Sequence, residues 1–84
     1  MARNGEDPID VQEKRFGYFP RAFMWRGRRY RVSKVVKSWT VRRKRRRELV
    51  ERRCFRVRCD AGTFDLNHDL RINTWHLQRV QTGG

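Results

Sequence analysis

The sequence predicts an all-β domain: a small five-stranded barrel, SH3-like or similarly built, carrying a long basic hairpin. Two observations predict it. Apolar residues recur with period two along most of the chain after Pro20, as they do in half-buried strands. Clusters of Gly, Asn and Asp then interrupt those runs at short intervals, as turns do. Five or so short strands parted in this way close most simply into a barrel or sandwich.

Residues 1–7 read as a flexible start and residues 82–84 as a frayed end, leaving one domain over 8–81. Ile9 and Val11 alternate with Asp10 and Gln12 in a short first strand, and Gly17-Tyr18-Phe19-Pro20 turns the chain. Phe23 and Trp25 share a face ahead of Arg26-Gly27-Arg28, where glycine suits a tight turn. A long run from Tyr30 to Val41 places Tyr30, Val32 and Val36 together. The run from Cys54 to Cys59 places Phe55, Val57 and Cys59 inward, with Arg56 and Arg58 outward. Asp60-Ala61-Gly62 is a turn, Phe64 and Leu66 point inward, and Asn67-His68-Asp69 is a second turn cluster. Trp75, Leu77 and Val80 form the last strand. No helix is required, although Arg45 to Arg53 has the composition for a turn or two.

Set antiparallel, the Tyr30–Val41 and Val50–Cys59 runs pair best where residue numbers sum to 91. Val36 then faces Phe55 and Val32 faces Cys59. Lys37, Trp39, Arg52 and Arg56 share the other face, and a basic hairpin spans about residues 41–50.

Eighty-four residues support a single core, and ten aromatics enlarge what it can bury. No apolar run is long enough for a membrane span or an export signal, so the expected compartment is the cytoplasm. Cys54 and Cys59 are an odd number of residues apart. On one strand they lie on opposite faces and cannot bridge; they also lack zinc-site spacing, so they read as reduced structural thiols.

The charge is divided unevenly. Residues 21–58 hold 17 Lys/Arg against Glu48 and Glu51, a local net charge of +15, within a chain of net +13. Like charges repel in a compact state, so a sequence that keeps them points to a polyanion. The run Arg42, Arg43, Lys44, Arg45, Arg46, Arg47 can follow a phosphate backbone, with counterion release supplying affinity. Five of those six are Arg, whose fork grips one phosphate twice. The bland alternative is a solvated loop, but a mixed-sign surface serves solubility better. Arg29 and Arg31 point outward with Arg56 and Arg58, extending the hairpin as a stripe. Trp25 and Trp75 lie in phase with apolar neighbours and read as core. Trp39, beside Lys37, Thr40 and Arg52, either stacks on an unpaired base or is packed by Arg stems.

Catalysis finds little support. His68, Asp69 and His76 stand at no telling distance from a serine or cysteine, and Asp60, Asp65 and Asp69 fit no calcium loop. The terminal Gly83-Gly84 is shared with ubiquitin-like tails, but those folds need a helix that this chain does not offer. No cofactor or metal is expected.

Phe23-Met24-Trp25-Arg26-Gly27-Arg28, followed by Tyr30 and Val32, resembles the opening of a small uncharacterised bacterial domain family. The resemblance continues through Phe55-Arg56-Val57, Gly62 to Leu66, Asp69 and the Trp75 to Val80 strand, spanning roughly residues 20–80. Such domains resemble a piece at the C-terminus of catalytically inactive Y-family polymerase-like mutagenesis proteins, and occur alone. The resemblance implies a DNA-repair or damage-tolerance setting and a protein-docking role. The residues themselves point to a non-catalytic domain that binds DNA or RNA with little sequence preference. The alternative is a module that docks on an acidic replication or repair protein.

Overall fold

A computed structural model describes residues 7–81, with Arg45 and Arg79 described by their backbone alone. The expected termini, residues 1–6 and 82–84, lie outside the described residues. Six antiparallel strands follow one another around a closed barrel: β1 (Asp7–Arg15), β2 (Phe19–Trp25), β3 (Arg28–Arg45), β4 (Glu48–Cys59), β5 (Gly62–Asp69) and β6 (Thr74–Gln81). The count is six rather than five because the segment with Phe23 and Trp25 is a full strand, and Phe19 and Pro20, expected in a turn, begin it. Pro20 has no N–H to donate, and it sits where β2 pairs with β1 but not with β3.

The turn before β2 is made by Phe16 and Gly17, both at positive φ (57° and 64°), with the Tyr18 amide donating to the Arg15 carbonyl at 3.0 Å. Arg26 and Gly27 repeat this geometry (53° and 76°) between β2 and β3. Turns of this twist match the right-handed twist of the flanking strands. The Arg45–Arg53 segment contains no helical turn. It runs from the end of β3 through Arg46 and Arg47 into β4, because strand pairing of Arg42–Arg45 with Glu48–Glu51 outweighs local helix propensity. His68 and Asp69 end β5 rather than forming a turn; the turn lies beyond them, where the Asp69 carboxylate accepts from the Arg71 amide.

β3 is long enough to serve two neighbours. Arg28–Arg31 pair with β2 and Val32–Arg45 with β4. Two bulges, between Val32 and Lys34 and between Val35 and Lys37, bend the strand around the barrel. They also correct the register. The sum of 91 holds at Val32 and Cys59, then slips by two, so Ser38 rather than Val36 lies opposite Phe55. Val36 is the extra residue of the second bulge and is 45% exposed, while Val35 turns inward in its place. Beyond the second bulge the slip is two, so Lys37, Trp39 and the residues after them keep their expected faces.

The core gathers Phe23, Val32, Phe55, Val57, Cys59, Phe64, Leu66, Trp75 and Leu77. Its centre is aromatic: Phe55 stacks on Trp75 at 5.7 Å and meets the edges of Tyr18 and Phe19. Trp75 is buried and Trp25 packs against the cluster, as their phase requires. A register shift between Asp65 and Leu66 sets Val80 opposite Phe64 near the end of β6, where it is 38% exposed. Cys54 and Cys59 are both buried thiols joined in no disulfide, on opposite faces of β4.

Candidate nucleic-acid interface

The outward face of β3 and β4 is built by register. Lys34 lies opposite Arg58, Lys37 opposite Arg56, Trp39 opposite Cys54, Val41 opposite Arg52 and Arg43 opposite Val50. β5 ends at Asp69, opposite Arg52, so residues 42–51 continue past the barrel wall as a two-stranded arm. The turn after β5 braces it: the Leu70 amide donates to the Glu51 carbonyl, and Arg71 pairs with Glu48.

The cation run does not form one continuous row. Arg42, Arg43 and Lys44 are strand residues, so they alternate between the two faces of the arm. Arg42 and Lys44 lie with Glu51 and Leu49 on one face; Arg43 lies with Val50 on the other. Arg46 and Arg47 form the tip, Arg46 at φ 54°. The arm thus offers charge on both sides and at its end.

Several expected contact residues already have acidic partners. Arg29 donates to Glu13 at 2.7 Å, Arg42 stands 3.5 Å from Glu51, and Arg52 stands 3.9 Å from Asp69. Arg56 is the most committed, forking Asp65 at 2.9 and 3.2 Å. That hydrogen bond, reinforced by the carboxylate's charge, raises the pKa of the guanidinium. Among the described residues, no acid stands within 4.0 Å of Arg31, Lys34, Lys37, Arg43, Lys44, Arg46, Arg47 or Arg58. These eight, less those on the far face of the arm, give the barrel one strongly basic side.

Trp39 is half-buried, with the Lys37 ammonium 5.4 Å and the Arg56 guanidinium 5.8 Å from its ring centre. The two-residue slip puts Cys54 opposite Trp39, where the sequence places Arg52, and brings Arg56 against the ring. Its cation contacts thus come from within the chain.

Lys34 was not prominent in the sequence, since an unbroken alternation from Tyr30 gives no warning of a bulge. A groove was also missed. β2 and β3 pair only over Ala22–Trp25 and Arg28–Arg31, then diverge. Between them opens a groove of about 500 Å³ whose lining includes Arg15, Arg21, Lys34 and Lys37, with no acid among its described residues. Phe16 stands at its edge, 82% exposed. The Phe-Gly pair was the available signal, for a glycine after an aromatic between two strands fits a two-residue turn that pushes the ring outward.

Among the described residues, no three His, Cys, Asp or Glu side chains are grouped to hold a metal ion. No helix is long and apolar enough to cross a membrane.

The Trp-Arg-Gly-Arg element has a structural explanation. Trp25 and Arg28 flank the Arg26-Gly27 turn as a cross-strand pair. The Trp25 indole N–H donates to the Asp7 carboxylate at 3.1 Å, and Arg26 reaches the same oxygen at 2.9 Å. The element therefore ties the β2–β3 turn to the start of β1, where the barrel closes on β6. Neither the curated proteins nor the solved structures gave a match to this chain. One family model matches over residues 1–82, and the chain therefore belongs to DUF6504, a family described as a domain of unknown function.

Proposed function

We propose that this domain is a non-catalytic nucleic-acid binder that engages phosphates through the outward face of β3 and β4 and through the arm. One observation carries the reading: the basic residues of this side outnumber the acids able to neutralise them. Lys34, Lys37, Arg43, Arg46, Arg47 and Arg58 remain free for a polyanion, with Arg31 and Lys44 at the margins. Such charges bind by releasing the counterions condensed on the phosphate backbone, a term blind to sequence. Arg29, Arg42, Arg52 and Arg56 position the strands through their acidic partners and contribute less. A DNA-repair or damage-tolerance setting in the cytoplasm fits this reading.

The second reading is a docking module for an acidic repair or replication protein. It is favoured by the edge of β3 beyond Arg31, which faces away from β4 and pairs with no strand among the described residues. Anisotropy of labelled single-stranded DNA, duplex DNA and RNA, with heparin as control, separates the two. A binding module prefers a nucleic acid to heparin and loses affinity with salt at a slope implying about 4–7 neutralised phosphates. Equal, weak binding to all four favours the docking module.

A further inference from the structure

Phe16 occupies a position that the fold alone does not favour. It is a bulky residue at φ 57°, a region where non-glycine residues are uncommon and large ones are outliers. It is also 82% exposed, so its ring is not held there by burial. Asn, Asp or Gly at that turn position would relieve the backbone, and Gly17 beside it already has the freedom to do so. Arg26 and Arg46 hold the same backbone geometry in the equivalent turns, so what sets Phe16 apart is an apolar ring left exposed at the edge of a groove.

The surroundings indicate what for. The Arg15 guanidinium lies 5.2 Å from the Phe16 ring centre. Behind it runs the groove between the diverging ends of β2 and β3, with Arg21, Lys34 and Lys37 among its walls and Phe19 and Val35 in its floor. Val36, displaced outward by the second bulge, adds a second exposed apolar contact. Lys37 both lines the groove and lies against Trp39, so the groove joins the basic face.

We infer that this groove is the path of a single-stranded nucleic acid, with a base stacked on Phe16 and the phosphates held by Arg15, Arg21, Lys34 and Lys37. The inference rests on the nucleic-acid reading above and names its ligand class. An unpaired base offers a π-face to an exposed ring, whereas the bases of a duplex are stacked on each other and closed to it. Acid-free walls suit a sugar-phosphate chain, and the mixture of cations with an exposed aromatic is how strands are held without sequence readout.

The test compares a labelled oligothymidylate with a duplex of the same length, using the full chain and its Phe16→Ala, Phe16→Trp and Phe16→Asn variants. Phe16→Ala should weaken single-strand binding by about 5- to 100-fold and duplex binding by less than about 2-fold. Phe16→Trp should restore the single-strand affinity. Phe16→Asn should raise the melting temperature, because Asn tolerates positive φ, and yet bind the single strand as poorly as Phe16→Ala. Unchanged single-strand affinity in Phe16→Ala, or equal losses on both ligands, would overturn the inference. The basic-face reading would survive that result if an Arg43→Gln, Arg46→Gln, Arg47→Gln variant still lost affinity for both. A wild-type chain that binds neither ligand would overturn both.

Discussion

Arg56 on β4 forks the carboxylate of Asp65 on β5, with Nε donating at 2.9 Å and Nη2 at 3.2 Å. The Asp65 side chain is only 9% exposed, so this is an ion pair at the surface of the core rather than a solvated one. Removing Arg56 takes two charge-assisted hydrogen bonds from a largely buried carboxylate, which costs stability. Arg56→Gln should therefore lower the thermal midpoint while leaving the salt slope of nucleic-acid binding unchanged. A variant with unaltered stability and a flatter salt slope would place Arg56 in the interface instead.

Asp7 supplies a pH dependence of defined sign. The Trp25 indole N–H holds its carboxyl below the ordinary carboxylate range; partial burial opposes that shift and Arg26 adds to it. A depressed folded value means that Asp7 stabilises the fold above its unfolded pKa of about 3.9, and that the gain is lost as pH falls through the lower folded value. Asp7→Asn should melt below the wild type from about pH 7 to about pH 5, with the gap narrowing below about pH 4. Parallel curves down to about pH 2.5 would show that the carboxylate's charge does not matter.

Phe55 is fully buried and touches three aromatic rings, those of Tyr18, Phe19 and Trp75. Phe55→Ala should cost about 3–5 kcal/mol in urea unfolding, a large share of the stability of a domain this small. A loss below about 1 kcal/mol would mean that the surrounding rings collapse into the space, contrary to a rigid aromatic centre.

Cys59 is buried, and burial first, then the charge of Asp60, pushes its thiol up to about 11. Cys54 is buried as well. Since the thiolate is the reactive form, a disulfide reagent at neutral pH should label neither cysteine in the native protein and both after denaturation. Rapid native labelling would contradict the closed core.

The sequence was most legible where alternation ran unbroken. From Cys54 to Cys59, and at Phe64 and Leu66, each side chain is on its expected face. It was least legible in β3, because a bulge adds a residue without leaving a glycine or proline to mark it. Ser33, Lys34, Val35 and Val36 read as plain strand, yet two bulges among them turn Val36 out, bring Val35 in and move Arg56 beside Trp39. The charge imbalance was visible at once. Its pairing was not, since which arginines meet acids depends on strands brought together across the barrel, as with Arg29 and Glu13. Phe16 was hidden for a related reason: the turn it forms is recognisable only once β2 is known to begin at Phe19.

The most direct measurement is the salt dependence of single-stranded and duplex DNA binding by the wild type and by the Arg43→Gln, Arg46→Gln, Arg47→Gln variant, followed by anisotropy. Those side chains lie on the arm, away from the core, and none has an acidic partner among the described residues, so the variant should fold as the wild type does. The account predicts weaker binding at every salt concentration and a log–log slope reduced by about 2–3. Affinity and slope identical to the wild type would contradict it, and would turn attention to an acidic protein partner along the free edge of β3.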